Sequence, residues 1–336
     1  RRIHVFGKIL MLWKARSSEK RFSVTNLNSK RSTRIKHRAT ALALALFCAI
    51  TSMMGLGAKA SERVLRIGLL EQFSAKNSIT VGNTSLAVGY CVNETYTRET
   101  ILKSKGGFVF TPATGFFYMC NIEFTSYSKA KAAADKIEAA GANAYPCAIY
   151  KGAWLLYVGG TTRAAAEKAR ATALEATEYR YDILTGDNGQ RILVSGDEGE
   201  ILYDAGVMGL YPQITAVTEN ENGDVVTKLG TRGYRGRIEI GRYGKQTLTA
   251  VNEIGLEEYL YGVVPGEMLS SWPTEALKAQ AVCARSYAIC RADDAGTLSL
   301  SKPYQMDDTT NYQVYCGYNY ETAATRAAVD STRGLT

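Results

Sequence analysis

VNEIGLEEYLYGVVPGEMLSSWPTEALKAQAVCARSYAICR, residues 251–291, is the stretch on which the reading of this chain turns. Leu256, Tyr259, Leu260, Val263 and Val264 recur at i, i+3, i+4, i+7 and i+8, one face of a helix. Pro265 is expected to end that helix, which places Glu267 in a tight turn just after the Pro265-Gly266 pair. Ser270 and Ser271 offer caps for a second helix, with Pro273 in its first turn and Glu275 near its positive end. Leu277, Ala281, Ala284 and Ala288 form a small-residue stripe that lets this helix approach a neighbour closely. Lys278 and Arg285 are seven apart, separated by about 20° of rotation, and fall on or beside that stripe. On spacing alone Glu267 is a surface carboxylate at a helix junction, and the two cations keep a helix soluble. A general acid or base needs a cleft and a tuned environment, which spacing does not show.

Outward from these helices the pattern becomes β. Residues 191–194, 200–203, 213–218, 225–229, 235–242 and 246–252 read as strands, with Asn222-Gly223 and Tyr243-Gly244 as hairpin turns. Ile238 and Ile240 share a face, flanked by Arg237, Glu239 and Arg242, as in an antiparallel sheet packed on helices. Near the front, 63–70 and 78–90 also read as strands. Ile79, Val81 and the Gly82-Asn83 turn suggest a hairpin, and 93–107 reads as a polar loop. Between 107 and 179 the order is βα-β, then βα: strand 116–124, helix 128–140 stopped by Gly141, strands 145–150 and 153–159, then a helix capped by Thr161 or Thr162. Turn-rich boundaries follow at 187–189 and 196–199.

The 336 residues leave room for two or more domains. The net charge of +8 is misleading, because residues 1–60 hold 13 Lys and Arg against one acid, Glu19. The other residues hold 27 against 31 and are mildly acidic, which argues against nucleic-acid binding by the folded part. A basic run from Lys30 to Arg38, the apolar stretch 39–58 and the Ala58-Lys59-Ala60 triplet read as a signal peptide, with a membrane anchor as the alternative. Either way the body is expected outside the cytoplasm.

Both histidines, His4 and His37, lie in this leader. That excludes His-based triads and His-ligated zinc from the remaining residues. Six cysteines lie beyond the leader with no C-x-x-C pair; most read as buried thiols, and a Cys120–Cys147 bridge is left open.

Two resemblances organise these observations. Phe124-Thr125-Ser126, AAADKIEAAG at 132–141 and WLLYVG at 154–159 resemble a sporulation-related repeat (SPOR) domain. The resemblance implies a four-stranded sheet over 107–180 that binds peptidoglycan glycan strands lacking stem peptides. LEEYLYGVVPGEM, SWPTEALKAQAVCARSYA, DDTTNYQVYCG and ETAATRAAVDSTRG, in that order, resemble the stage II sporulation protein D/LytB (SpoIID/LytB) family over roughly 187–336. The front hairpin, 61–92, is expected to be an early piece of the same module.

The implied fold class is α+β: antiparallel strands packed on a two-helix catalytic core, plus the small βαβ-βα SPOR-like domain. Family members continue with further strands, so a module incomplete at Thr336 is expected. The implied function is exported lytic transglycosylase action on glycan strands in sporulation, with Glu267 as acid and base and Lys278, Arg285, Gln313 and Tyr315 at the substrate. A non-catalytic amidase enhancer and a wall-binding protein are the alternatives. The implied partners are peptidoglycan and a cell-wall amidase or other sporulation proteins; no cofactor or metal is expected.

Overall fold

The computed structural model describes residues 63–92, 95–149 and 152–336. Residues 1–62, on which the expected leader and its targeting signal fall, lie outside the described residues. The chain opens with β1 (Val64–Gly68), the one-turn α1 (Leu70–Phe73), β2 (Ile79–Val81), β3 (Ser85–Val92), β4 (Thr95–Lys103) and β5 (Phe108–Pro112). β2 and β3 are not a hairpin. They enter different sheets, β2 between β5 and a later strand and β3 beside β4. Asn83 explains the parting. Its side chain accepts from Lys228 N–H at 2.7 Å and donates to Val226 O at 2.9 Å, so it ties the turn to a distant segment.

The expected loop at 93–107 contains β4. Only Leu102 of that strand has its side chain buried, which is why the polar run hid a strand at a sheet edge. Gly89 lets β4 approach, since a Cβ there would lie 2.1 Å from Thr97 O.

β6 (Phe116–Cys120), α2 (Tyr127–Ala139), β7 (Ala144–Ile149), β8 (Ala153–Gly160), α3 (Arg163–Thr177) and β9 (Tyr181–Thr185) follow. The Ser126 and Thr162 hydroxyls cap the two helices. Both helices bury alanines on one sheet face: Ala130, Ala133 and Ala134 with Ile137, then Ala166, Ala169 and Ala173. β9, absent from the sequence reading, completes βαββαβ with sheet order β7-β8-β6-β9, the split-βαβ arrangement. Alternation along the strands puts Phe117, Cys147 and Tyr157 on the opposite face, joined by half-buried Met119, Tyr145 and Leu155.

Next come β10 (Arg191–Gly196), β11 (Gly199–Asp204), the short α4 (Ala205–Met208), β12 (Gln213–Ala216), β13 (Thr227–Leu229), β14 (Arg232–Tyr234), β15 (Arg237–Gly241) and β16 (Thr249–Gly255). The strand expected at 235–242 is β15, and β14 just before it was not expected. Gly236, at φ +70°, separates the two strands where a Cβ would meet Glu253 O at 2.3 Å. The last elements are α5 (Leu256–Glu267), α6 (Thr274–Asp294), the two-residue β17 (Met306–Asp307), a 3-10 turn (Tyr318–Tyr320) and α7 (Ala323–Ser331).

Two sheets result. One runs β17-β1-β16-β15-β12-β3-β4, antiparallel except for β17 on β1. The other runs β14-β13-β2-β5-β10-β11-β7-β8-β6-β9. Strands from before and after residues 116–185 pair with one another: β1 with β16, β2 with β13 and β5 with β10. The βαββαβ segment joins the second sheet through a single parallel bridge, Cys147 to Leu202.

Two expectations around the helices are corrected. α5 does not stop at Pro265 but runs through it to Glu267. Proline removes the N–H that would reach Tyr261 O, and on the next residue Gly262 O accepts from Cys316 N–H of the following loop at 3.1 Å. Ser270 and Ser271 do not cap α6, which starts after Pro273 without a side-chain cap. The apolar face of α5 and the stripe Leu277, Ala281, Ala284 and Ala288 are buried as their spacing implies. Fully burying each Leu or Val contributes about 1.5–3 kcal/mol. Among the described residues no helix is long and apolar enough to cross a membrane.

Candidate functional site

Glu267 is the last residue of α5, and its side chain is exposed. A carboxylate at a helix C-terminus faces orphan carbonyls and gains nothing from the helix dipole. The compensating donor comes from elsewhere: Val314 N–H reaches Glu267 Oε1 at 2.8 Å. The Q-V-Y-C-G loop that carries this donor lies directly on α5. A Cβ on Gly266 would sit 2.8 Å from Val314 O, and one on Gly262 would sit 2.6 Å from the Tyr315 ring. Both glycines of LYGVVPGE are thus required by the contact, and the helix-breaking residues mark where the loop seats.

Tyr315 is the anchor of the loop. It is buried, its hydroxyl donates to Asn252 Oδ1 at 2.8 Å, and its ring lies 5.0 Å from Tyr259 and 6.0 Å from Tyr234. Asn252 in turn donates to Arg235 O and Arg237 O. Tyr315 therefore sets the height of Val314 beneath Glu267. Gln313 is also buried, and its Oε1 has no partner among the described residues.

The two cations of α6 lie in different environments. Lys278 is about one-third exposed and pairs with Glu275 at 2.9 Å. Arg285 is 1 % exposed. Its Nε and Nη2 form a bidentate pair with Glu257 at 2.9 and 2.7 Å, and its nitrogens also reach Val329 O and Leu335 O. It fastens α5, α6 and α7 together.

Three neighbours escaped the sequence reading. Leu269 and Trp272, in the α5–α6 connection, are 69 % and 50 % exposed. The Ser-Ser-Trp-Pro run carried that signal, read there only as a helix start. Asp308 is buried with Oδ2 unpartnered, and burial pushes its carboxyl up to about 6. Its other oxygen accepts from Glu71 N–H at 2.9 Å. Burial first, then the charges of Glu267 and Asp308 among others, raise the Tyr259 phenol. Burial likewise raises the Cys316 thiol, with the same two carboxylates contributing and Arg232 opposing. Glu267 and Asp308 thus bear on the same two groups.

The six cysteines among the described residues are free thiols, so no Cys120–Cys147 bridge exists; of these six only those two are buried, while Cys283 and Cys290 are exposed. Among the described residues no group of three or more His, Cys, Asp or Glu is placed to hold a metal. What the arrangement offers chemically is one exposed carboxyl, one oxygen held and the other open to a ligand.

Residues 244–336 match the family model described as stage II sporulation protein. An uncharacterised Brachyspira hyodysenteriae protein is 34 % identical over 162 residues, 47 % of this chain and 41 % of that protein. Stage II sporulation protein D of Bacillus subtilis is 34 % identical over 136 residues, 35 % of this chain and 39 % of that protein. The Bacillus subtilis amidase enhancer is 45 % identical over 75 residues, 22 % of this chain and 9 % of that protein. The chain thus spans well under half the length of these relatives. No solved structure matches it. The family-model match, residues 244–336, takes in Glu267 and the loop that grips it, so the likeness to stage II sporulation proteins covers the candidate site.

Proposed function

We propose that this chain is an exported lytic transglycosylase that cleaves peptidoglycan glycan strands during sporulation. The observation that carries the reading is the Glu267 carboxyl, exposed, with Oε1 fixed by Val314 N–H. The free oxygen protonates the glycosidic oxygen between MurNAc and GlcNAc, and the C1–O bond breaks. The resulting carboxylate takes the proton of the MurNAc C6 hydroxyl, whose oxygen attacks C1 and closes a 1,6-anhydro ring. One carboxyl suffices because the nucleophile is internal; its effective molarity replaces the water and second carboxylate of ordinary glycosidases. Lys278, partly open to solvent, suits a substrate carboxylate. Arg285 and Tyr315 act as positioning residues through Glu257 and Val314, and Gln313 offers an unused acceptor next to the loop.

The βαββαβ segment, with half-buried Tyr145 and Leu155 on the face away from its helices, is proposed as the SPOR-like element that holds denuded glycan. The leader exports the body.

The higher identity to the amidase enhancer supports a second reading, in which the chain binds the wall and stimulates an amidase without cleaving glycan itself. Digestion of purified glycan strands separates the two. The parent protein is expected to leave 1,6-anhydro ends detectable by mass spectrometry, and Glu267→Gln to lower the rate by a factor of roughly 10² or more. Stimulation of an amidase, equal for parent and Glu267→Gln and without anhydro ends, would establish the second reading instead.

A further inference from the structure

Two open cavities, of about 510 and 610 Å³, flank the 3-10 turn at Tyr318–Tyr320. That turn follows directly from the loop that holds Glu267. Three residues separate Val314 from Tyr318, so the four chain steps between them span at most roughly 14 Å. The first cavity is walled on one side by the turn Asn220–Asp224, closed by Asn220 N–H to Asp224 O at 2.9 Å and Gly223 N–H to Asn220 O at 3.0 Å. Tyr318 Oη locks the turn. It accepts from Asn220 Nδ2 at 2.8 Å and Asn222 Nδ2 at 3.1 Å and donates to Asp224 Oδ2 at 3.0 Å. Opposite, Asn319 Oδ1 accepts from Gly233 N–H of β14. The walls are therefore held before any ligand arrives.

What lines the space is chemically mixed. Lys228, Glu219 and Glu221 are exposed and carry no ion pair among the described residues, and the Thr218 and Thr231 hydroxyls have no hydrogen-bond partner there. An anionic ligand would meet the two glutamates, and a cationic one would meet Lys228 and Arg232. An apolar ligand would strip water from polar groups and leave them unpaired. A neutral molecule rich in hydroxyl and amide groups satisfies donors and acceptors together, and the volume lies within the range of small-molecule sites. The geometry points to a saccharide subsite here, remote from Glu267, which grips the same glycan strand further along. It rests on the reading of Glu267 as the cleavage site. It is built mainly from residues outside 244–336, so it belongs to this chain's own front and middle segments. Binding energy collected there would serve the reacting sugar bond at a distance.

Calorimetric titration of N-acetylglucosamine oligomers into full-length Glu267→Gln protein tests this. The octasaccharide is expected to bind at least about tenfold tighter than the disaccharide, roughly 1.4 kcal/mol. Adding Glu221→Ala, Lys228→Ala and Thr231→Val, all at exposed positions, is expected to abolish that length advantage while disaccharide affinity stays unchanged. A length advantage that survives the three substitutions would overturn the subsite, as would its absence from the Glu267→Gln protein. Length-dependent binding that the three substitutions abolish, in a protein whose parent leaves no anhydro ends, would uphold the subsite and remove the cleavage chemistry.

Discussion

Asp308 shows how a single carboxyl can set the pH response of the region around Glu267. Its folded pKa of about 6 lies above the ordinary value of 3.8. Between those values the folded state binds a proton that the unfolded chain has released. Stability is therefore full below about pH 4, falls as pH rises and levels off above pH 6, by up to about 3 kcal/mol at 1.36 kcal/mol per unit. Asp308→Asn keeps an acceptor for Glu71 N–H and is expected to flatten that decline in urea titrations between pH 4 and 7. An unchanged slope would show that Asp308 titrates normally. Such a residue is invisible in sequence, where Asp307-Asp308 reads as a polar pair; its burial comes from β17 lying parallel on β1. Glu267 was legible only through the motif around it, because spacing alone could not say that Val314 would come back to it from 47 residues away.

At the scale of the helices, periodicity told the truth about faces and misled about ends. The stripes of α5 and α6 were readable because burial follows the 3.6-residue period. The continuation of α5 through Pro265 was not, because its last turn leans on a tertiary partner, with Cys316 N–H donating to Gly262 O. Arg285 looked like a substrate ligand on the same helix as Lys278, yet its partners lie on α5 and beyond. Arg285→Ala leaves Glu257 buried without its bidentate partner and is expected to cost about 3–5 kcal/mol in chemical denaturation. Arg285→Met combined with Glu257→Leu should recover much of that loss. If Arg285→Ala instead retains full stability and loses only turnover, the residue contacts substrate.

Across the whole described chain, the sheets explain why segment boundaries were hard to read. β2 and β3 are adjacent in sequence but serve different sheets, and strands on either side of the βαββαβ segment pair with each other. The segment needs β9, so a fragment ending at residue 180 lacks a strand of its own sheet. Its wall-holding role is best checked in the full chain: Tyr145→Ser with Leu155→Ser, on the face away from α2 and α3, is expected to abolish co-sedimentation with denuded glycan. Retained binding would assign that role elsewhere.

The central claim is that Glu267 passes a proton to the leaving oxygen and takes one from an internal hydroxyl, with no water consumed. Digestion of glycan strands in ¹⁸O-labelled water, followed by mass spectrometry of the new MurNAc ends, measures this directly. The account predicts anhydro ends free of ¹⁸O from the parent protein and none from Glu267→Gln. New ends that carry ¹⁸O, or anhydro ends formed equally by Glu267→Gln, would contradict it.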